Sequence, residues 1–309
     1  MWRMIAVPVA VFALISGCAD PVTPPKPKQD SGCATAENGA DPLAPRPKVP
    51  GRFVLIARER KPDGEKGKSL LPTEKRVEWV ASETAIIICD MWDDHYCKSS
   101  AQRVGVLVPK MNEVVSRARE HGAQIIHAPS GTVDIYADTA FRKRAIHAKA
   151  STPPKPLKPW CYEDPNREPP LPVETAKCAC DDPVVGAYVR KYTRQHVGLD
   201  IAGYDAVSDN GAEIYNLLKQ EGIKNVAVMG VHTNMCVLGR PFGIRQLVMM
   251  GFNVVLVRDL TDAMYDPRQP PFVSHARGTE LVIEHIESYW CPSIRGTDLT
   301  ATMDANPKP

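Results

Sequence analysis

The chain has 309 residues, with 38 lysines and arginines against 36 aspartates and glutamates and a formal net charge of +2. That balance leaves no electrostatic footprint for nucleic acid, and no basic stripe interleaved with aromatics appears. Nine cysteines and 29 prolines are the compositional features that need an account.

From the N-terminus, Arg3 precedes an apolar run through Ile15, too short to span as a mature helix and of secretory-signal form. Its end, Ile15-Ser16-Gly17-Cys18, resembles the bacterial lipoprotein cleavage box. The resemblance implies lipidation of Cys18 as the first mature residue, and Ala19 in place of aspartate implies no retention at the inner membrane. An ordinary signal or anchor is the alternative. The expectation is an exported lipoprotein, held on the membrane in the periplasm or at the cell surface, with residues 1–18 as its signal. Residues 19–50, crowded with Pro, Lys, Ala and Asp, predict a disordered tether. Residues 51–295 suit one α/β domain, followed by a flexible tail at 296–309.

Residues 52–60 alternate as a strand, Pro62-Asp63-Gly64 makes a turn, and 77–80 pair back as an edge hairpin. Residues 84–89 form a near-continuous apolar run with the look of a buried parallel strand. Asp90 sits at its carboxyl end, where open α/β sheets bind their ligands. Trp92, Asp94, His95 and Tyr96 follow at once. A stripe of Val104, Leu107, Val108, Met111, Val114 and Val115 predicts a helix over 101–121. A strand at 123–127, ending in His127, and a helical stretch at 130–149 come next. Residues 151–183 read as an irregular insertion rich in Pro and Cys. Strands at 184–192 and 197–201, a helix at 210–220 and a buried strand at 225–229 follow.

Thr233 and Asn234 are good caps for a helix over 233–250, despite Gly239-Arg240-Pro241. Cys236 then lies in the first turn, whose unpaired amides favour a thiolate and can hold an oxyanion. A buried structural cysteine is the alternative. A strand at 253–257, leading to Asp259, and a helix at 279–290 complete the pattern. The alternation predicts a three-layer α-β-α sandwich around a mostly parallel sheet of about six strands. No Gly-rich phosphate loop, His-Glu-x-x-His or paired CxxC is present, so nucleotide and zinc-protease chemistry gain no support.

Two motifs, Ile87-Ile88-Cys89-Asp90 and Gly230-Val231-His232-Thr233-Asn234-Met235-Cys236-Val237, together with residues 251–259, resemble the isochorismatase-like cysteine hydrolases. That family includes nicotinamidases and N-carbamoyl amide hydrolases. The resemblance implies an Asp-Lys-Cys triad in which Asp90 takes the proton of Cys236 and the sulfur attacks an amide or imide carbon. It also implies an oxyanion hole from the amides of His232 and Cys236, with a cis peptide between Val231 and His232. Vinyl-ether-cleaving branches generally lack the cysteine, so its presence points to amide chemistry. The family's lysine position falls near Asp200 and Ile201, where no lysine stands. Lys191 is the nearest upstream substitute and Arg194 the alternative; a cation there is expected to acidify Cys236. Without one, a catalytically silent relative binding a small ligand or a partner is the competing reading.

The nicotinamidase metal run is replaced by His127-Ala128-Pro129-Ser130. Asp94, His95 and His127 could in principle ligate a metal, but the histidines read better as substrate-positioning or structural groups, so no metal or cofactor is assigned. The substrate pocket is expected to draw on Trp92, Asp94, His95, Tyr96, His127, Thr233 and Asn234. The expected partners are a small-molecule substrate and the membrane, with a homo-oligomer left open. Cys89 and Cys236 should stay reduced, whereas export favours disulfides among the rest. At least one bond from Cys161 to Cys178 or Cys180 is expected to staple the insertion, with Cys97 and Cys291 available for others.

Overall fold

The computed structural model describes residues 45–62, 70–175 and 179–303. The elements are, in chain order, β1 (Arg52–Pro62), β2 (Leu70–Val80), β3 (Thr84–Cys89), α1 (Lys98–Glu120), β4 (Gln124–Ala128), α2 (Ala140–Ile146), β5 (Ala206–Val207) and α3 (Gly211–Gln220). Then come β6 (Asn225–Val231), α4 (Cys236–Gly239), α5 (Ile244–Met249), β7 (Asn253–Asp262), α6 (His275–Tyr289), β8 (Ser293–Ile294) and β9 (Thr302–Met303). The sheet runs β2-β1-β8-β7-β6-β3-β4-β5, with β9 paired to β1. Nine strands are therefore seen among the described residues, more than the sequence suggests. The pairings from β8 through β5 are all parallel, and the additions, β1, β2 and β9, are antiparallel at one edge.

Parity along β3 explains the layers, because successive side chains point to opposite faces. Ile86 and Ile88 pack with Val104, Val108, Met111 and Val115 of α1. Ala85, Ile87 and Cys89 pack with Ile214 and Leu218 of α3, Leu247 of α5 and Ile286 of α6. All six residues of β3 are buried, as a strand covered on both faces requires. From β3 the chain builds outward to β4 and β5, then returns to place β6 on the other flank of β3. The carboxyl ends of β3 and β6 thus frame the point where strand order reverses, the crevice in which open α/β sheets bind ligands.

Several sequence expectations change. Residues 184–192 and 197–201 form no strand; the position beside β4 is taken by two-residue β5, and Val184 and Val197 are 84% and 75% exposed. The expected helix over 233–250 splits into α4 and α5, because Pro241 cannot continue it and Arg240 before it turns extended at φ −58, ψ 156. In 130–149 only α2 and one turn of 3-10 helix at Val133–Tyr136 are helical. The body also reaches further at both ends. Arg46 is buried on Glu221 at 3.3 Å, and Thr302 and Met303 pair with Phe53 and Arg52. Residues 296–303 are therefore not a loose tail. Cys18 and the tether through residue 44 lie outside the described residues. Among those described, no helix is long and apolar enough to cross a membrane.

The insertion is held by an ion-pair hub in place of the expected staple. Cys161 and Cys180 are free thiols, as are Cys97 and Cys291, and Cys178 lies outside the described residues. Glu168, with its side chain fully buried, accepts from Arg245 Nε and Nη2 at 2.8 and 2.9 Å and from Trp290 Nε1 at 2.7 Å, and bonds His285 Nε2 at 2.7 Å. Arg245 also donates to the Cys161 carbonyl at 3.1 Å. These contacts seat Trp160 against Gly239, where any side chain would collide with the indole.

Candidate active site

Asp90 leaves β3 in the left-handed region at φ 48 and is completely buried. Its Oδ1 accepts the Ser130 amide at 2.9 Å, and its Oδ2 accepts Arg240 Nε at 3.0 Å. Across the reversal point, Gly230 has φ 106, and a Cβ there would overlap the Cys89 carbonyl, so only glycine lets β6 end this close to β3. A cis peptide joins Val231 to His232, and α4 begins at Cys236. The Cys236 thiol is buried within the electrostatic reach of Asp90, Arg240 and the His232 amide.

Burial pushes the Cys236 thiol well above its ordinary value, and the Asp90 charge adds to the rise; Arg240 and the His232 amide only partly offset them. The expected acidification is therefore reversed. The cation is present, but its fork is spent on Asp90, leaving a resting thiol that can hand its proton to the carboxylate. Burial works against the charge of Arg240, yet Asp90 raises its pKa further. The guanidinium also lies 5.6 Å from the centre of the Trp160 ring. His232 is buried and lowered to about 3, chiefly by desolvation and then by His95, so its ring is neutral. Its Nε2 lies 2.6 Å from the Ser100 hydroxyl.

The aromatic side chains that follow Asp90 form a wall. Trp92 donates to the Ser130 carbonyl at 3.2 Å and stacks on Tyr192 at 4.2 Å. His95 tilts against Tyr96 at 4.4 Å and His232 at 5.3 Å, and Tyr96 meets Tyr188 edge-on at 4.8 Å. Segment 184–192, expected as a strand, thus lays two tyrosines over this wall. A groove of ≈ 490 Å³, lined by Ser130, Lys158, Asp209, Asn210 and Arg240 among others, opens beside the Asp90–Arg240 pair.

A family model for the isochorismatase domain matches residues 84–282, which run from β3 into α6. The chain belongs to the isochorismatase family. Solved structures similar to this family member include a cysteine hydrolase from Pseudomonas syringae pv. phaseolicola, at 15% identity over 72% of this chain and 92% of that one, with a TM-score of 0.42. Another is a pyrazinamidase of Pyrococcus horikoshii in complex with zinc, at 18% identity over 69% and 99% of the two chains, with a TM-score of 0.41. No curated protein matches the chain.

In this isochorismatase-family chain the remaining expected residues do not all reach the centre. Lys191 and Arg194 are exposed, and the cation on Asp90 is Arg240, four residues after Cys236. His127 pairs in register with Ile88 and shares its face towards α1; its nitrogens are taken by Gln195 at 2.9 Å and Asp205 at 3.0 Å. That corrects its placement in the pocket. Thr233 and Asn234 are buried ties to the end of β7, through the Thr261 hydroxyl at 2.7 Å and the Met264 backbone at 2.8 Å. Asp94 is paired with Lys98 at 2.6 Å, and among the described residues Asp94, His95 and His127 do not bring their ligand atoms together. Asp259 points outward to the Gly296 amide; Asp262, at the true end of β7, bonds Arg103 and His275 at 2.8 Å each.

These placements set an alkylation experiment. Cys236 should react with iodoacetamide with a pH midpoint above that of a free thiol, and Arg240→Gln should slow it further, roughly tenfold for each added pKa unit. Lys191→Ala and Arg194→Ala should leave the rate unchanged. Mass spectrometry of the peptide carrying Cys236 measures all four proteins.

Proposed function

We propose that this chain is a cysteine hydrolase that cleaves a C–N bond of a small amide-like substrate. The observation that carries the reading is the convergence of Asp90, Cys236 and Arg240 at the crevice between β3 and β6. Asp90 takes the thiol proton as the Cys236 sulfur attacks the carbonyl carbon. The carbonyl oxygen gains the negative charge and is held by the amides of His232 and Cys236. The C–N bond breaks, the amine leaves with the proton returned by Asp90, and a thioester remains. Water, deprotonated by the same carboxylate, hydrolyses it to a carboxylic acid and frees the thiol.

Arg240 fills the role the family gives to lysine. Its charge steadies the developing thiolate, while its planar fork fixes the orientation of the Asp90 carboxylate. The groove beside it is of a volume suited to a small organic molecule. Export and lipid anchoring at Cys18 belong to the same proposal and rest on the N-terminal sequence.

Incubation with a panel of small primary amides, cyclic imides and N-carbamoyl compounds tests the chemistry. The expected result is amine or ammonia release with a transient acyl mass on the Cys236 peptide, both lost in Cys236→Ser. Saturable binding without release or adduct would replace this reading with the silent, ligand-binding relative.

A further inference from the structure

Away from the Asp90–Cys236 pair, a second group of reactive side chains meets at the start of α1. Cys97 is the residue on which α1 begins, and Cys180 comes from the insertion, just past the residues left undescribed at 176–178. Both thiols are buried, as is Asp182, and one ligand atom from each of the three lies within 4.8 Å of the other two. The Cys97 sulfur is 3.6 Å from Asp182 Oδ1. The edge of a tetrahedron around a zinc ion with two thiolate ligands is roughly 3.8 Å, so a small contraction would bring all three into coordination.

We propose that Cys97, Cys180 and Asp182 form a binding site for a thiophilic divalent cation of the zinc type. The donor set of two sulfurs and one oxygen is of the kind that selects zinc over magnesium or calcium. The donors are also held in place from behind. Asp182 accepts the amides of Lys98 and Ser99 at 2.9 and 2.8 Å, which orients its carboxylate. Arg268 donates to the carbonyls of Cys180 and Asp182 at 3.3 and 2.9 Å, which fixes the short loop carrying both ligands. Such outer contacts set ligand geometry as much as the ligands themselves do. Asp181 Oδ1 also lies 3.5 Å from the Cys97 sulfur, and its carboxylate is paired with Arg103 at 2.7 Å.

Burial, with Cys180 second, pushes the Cys97 thiol up to about 12, so without a cation the pair has no reason to ionise or react. The cation would pin the insertion to α1 two residues beyond His95, whose Nδ1 accepts the Cys97 amide at 3.3 Å. It would thereby steady the wall formed by His95 and Tyr96. The partner of Cys180 in this group is distant in the chain.

The site stands independently of the hydrolase reading, and its test needs no substrate. Full-length protein is purified under reducing conditions, stripped with a chelator, loaded with zinc and desalted. About one zinc per chain should remain, and the metal should shield Cys97 and Cys180, but not Cys161 or Cys291, from alkylation in the wild type. Cobalt loading should give a sulfur-to-metal charge-transfer band and intense tetrahedral visible bands. Cys97→Ser and Cys180→Ser should each abolish both, while Cys161→Ser should change neither. Zinc retention by the wild type no greater than that of Cys97→Ser or Cys180→Ser would overturn the proposal. A Cys97–Cys180 disulfide that persists after zinc-supplemented folding would do the same.

Discussion

Asp90→Asn should lower turnover of any substrate the wild type accepts by on the order of a hundredfold to ten-thousandfold. The replacement is nearly isosteric, and the Ser130 amide can still donate to the remaining carbonyl oxygen. The base, however, is gone, and the thiol of Cys236 is already held above its ordinary value by burial, so it cannot ionise unaided at neutral pH. Arg240 would also lose the carboxylate it faces at 3.0 Å. A kcat that collapses while KM stays within a few-fold is the expected signature, since the lost interaction acts on the transition state. Unchanged turnover would place the base elsewhere. Circular dichroism distinguishes lost chemistry from a lost fold.

The second large effect is on stability and lies in the insertion. Burial works against the charge of Glu168, but hydrogen bonds from His285, Arg245 and Trp290 outweigh it and hold its carboxyl at about 2, against an ordinary 4.5. A folded-state pKa below the unfolded one stabilises the protein above the unfolded value, and the contribution fades as pH falls through the folded one. The difference amounts to about 3 kcal/mol at neutral pH, lost between roughly pH 5 and pH 2. Glu168→Gln should cost about 3–5 kcal/mol, because it strands the charge of buried Arg245. For a domain of this size that lowers Tm by on the order of 10 °C. Thermal unfolding at pH 7 and pH 3 reads both effects: the variant should be much weaker at the first, and the gap to wild type should shrink by roughly half at the second. Equal losses at both would assign the cost to packing.

Asp90 and Cys236 were legible in the sequence because each is announced locally. A buried apolar strand ends in an acid, and another carries a glycine near its end just before the short helix that opens on the cysteine. Four of the parallel strands, β3, β4, β6 and β7, were legible for the same reason, whereas β5 and β8, two residues each, carry too short a pattern to read. Arg240 was not, because Gly239-Arg240-Pro241 reads as a helix breaker and its partner lies 150 positions away. The one usable hint was its spacing, four residues after the cysteine, on the side of a short helix that faces the thiol.

His127 was misplaced for a reason of parity, since a strand-end residue enters the crevice only if its side chain points to the same face as Cys89. The insertion was misjudged because its anchor, Glu168, draws its partners from 77, 117 and 122 residues further along. Proline content and cysteine spacing carry no trace of that. Charged residues in a segment poor in apolar ones look like a solvated surface until their partners are known.

The position of Asp90 at the reversal of strand order has a consequence for how the chain acquires its structure. The carboxylate is on the early half, and the cation that neutralises it arrives 150 residues later. At ordinary rates of synthesis that interval is roughly ten seconds. During it, β3 has β4 on one flank but lacks β6 on the other, so it is an open edge carrying a charge that cannot yet be buried. The first half is therefore not a stepping stone that can be completed in place. Closure waits for β6, the turn at Gly230 and the start of α4 together, and reactivity appears in the same event that joins the two halves.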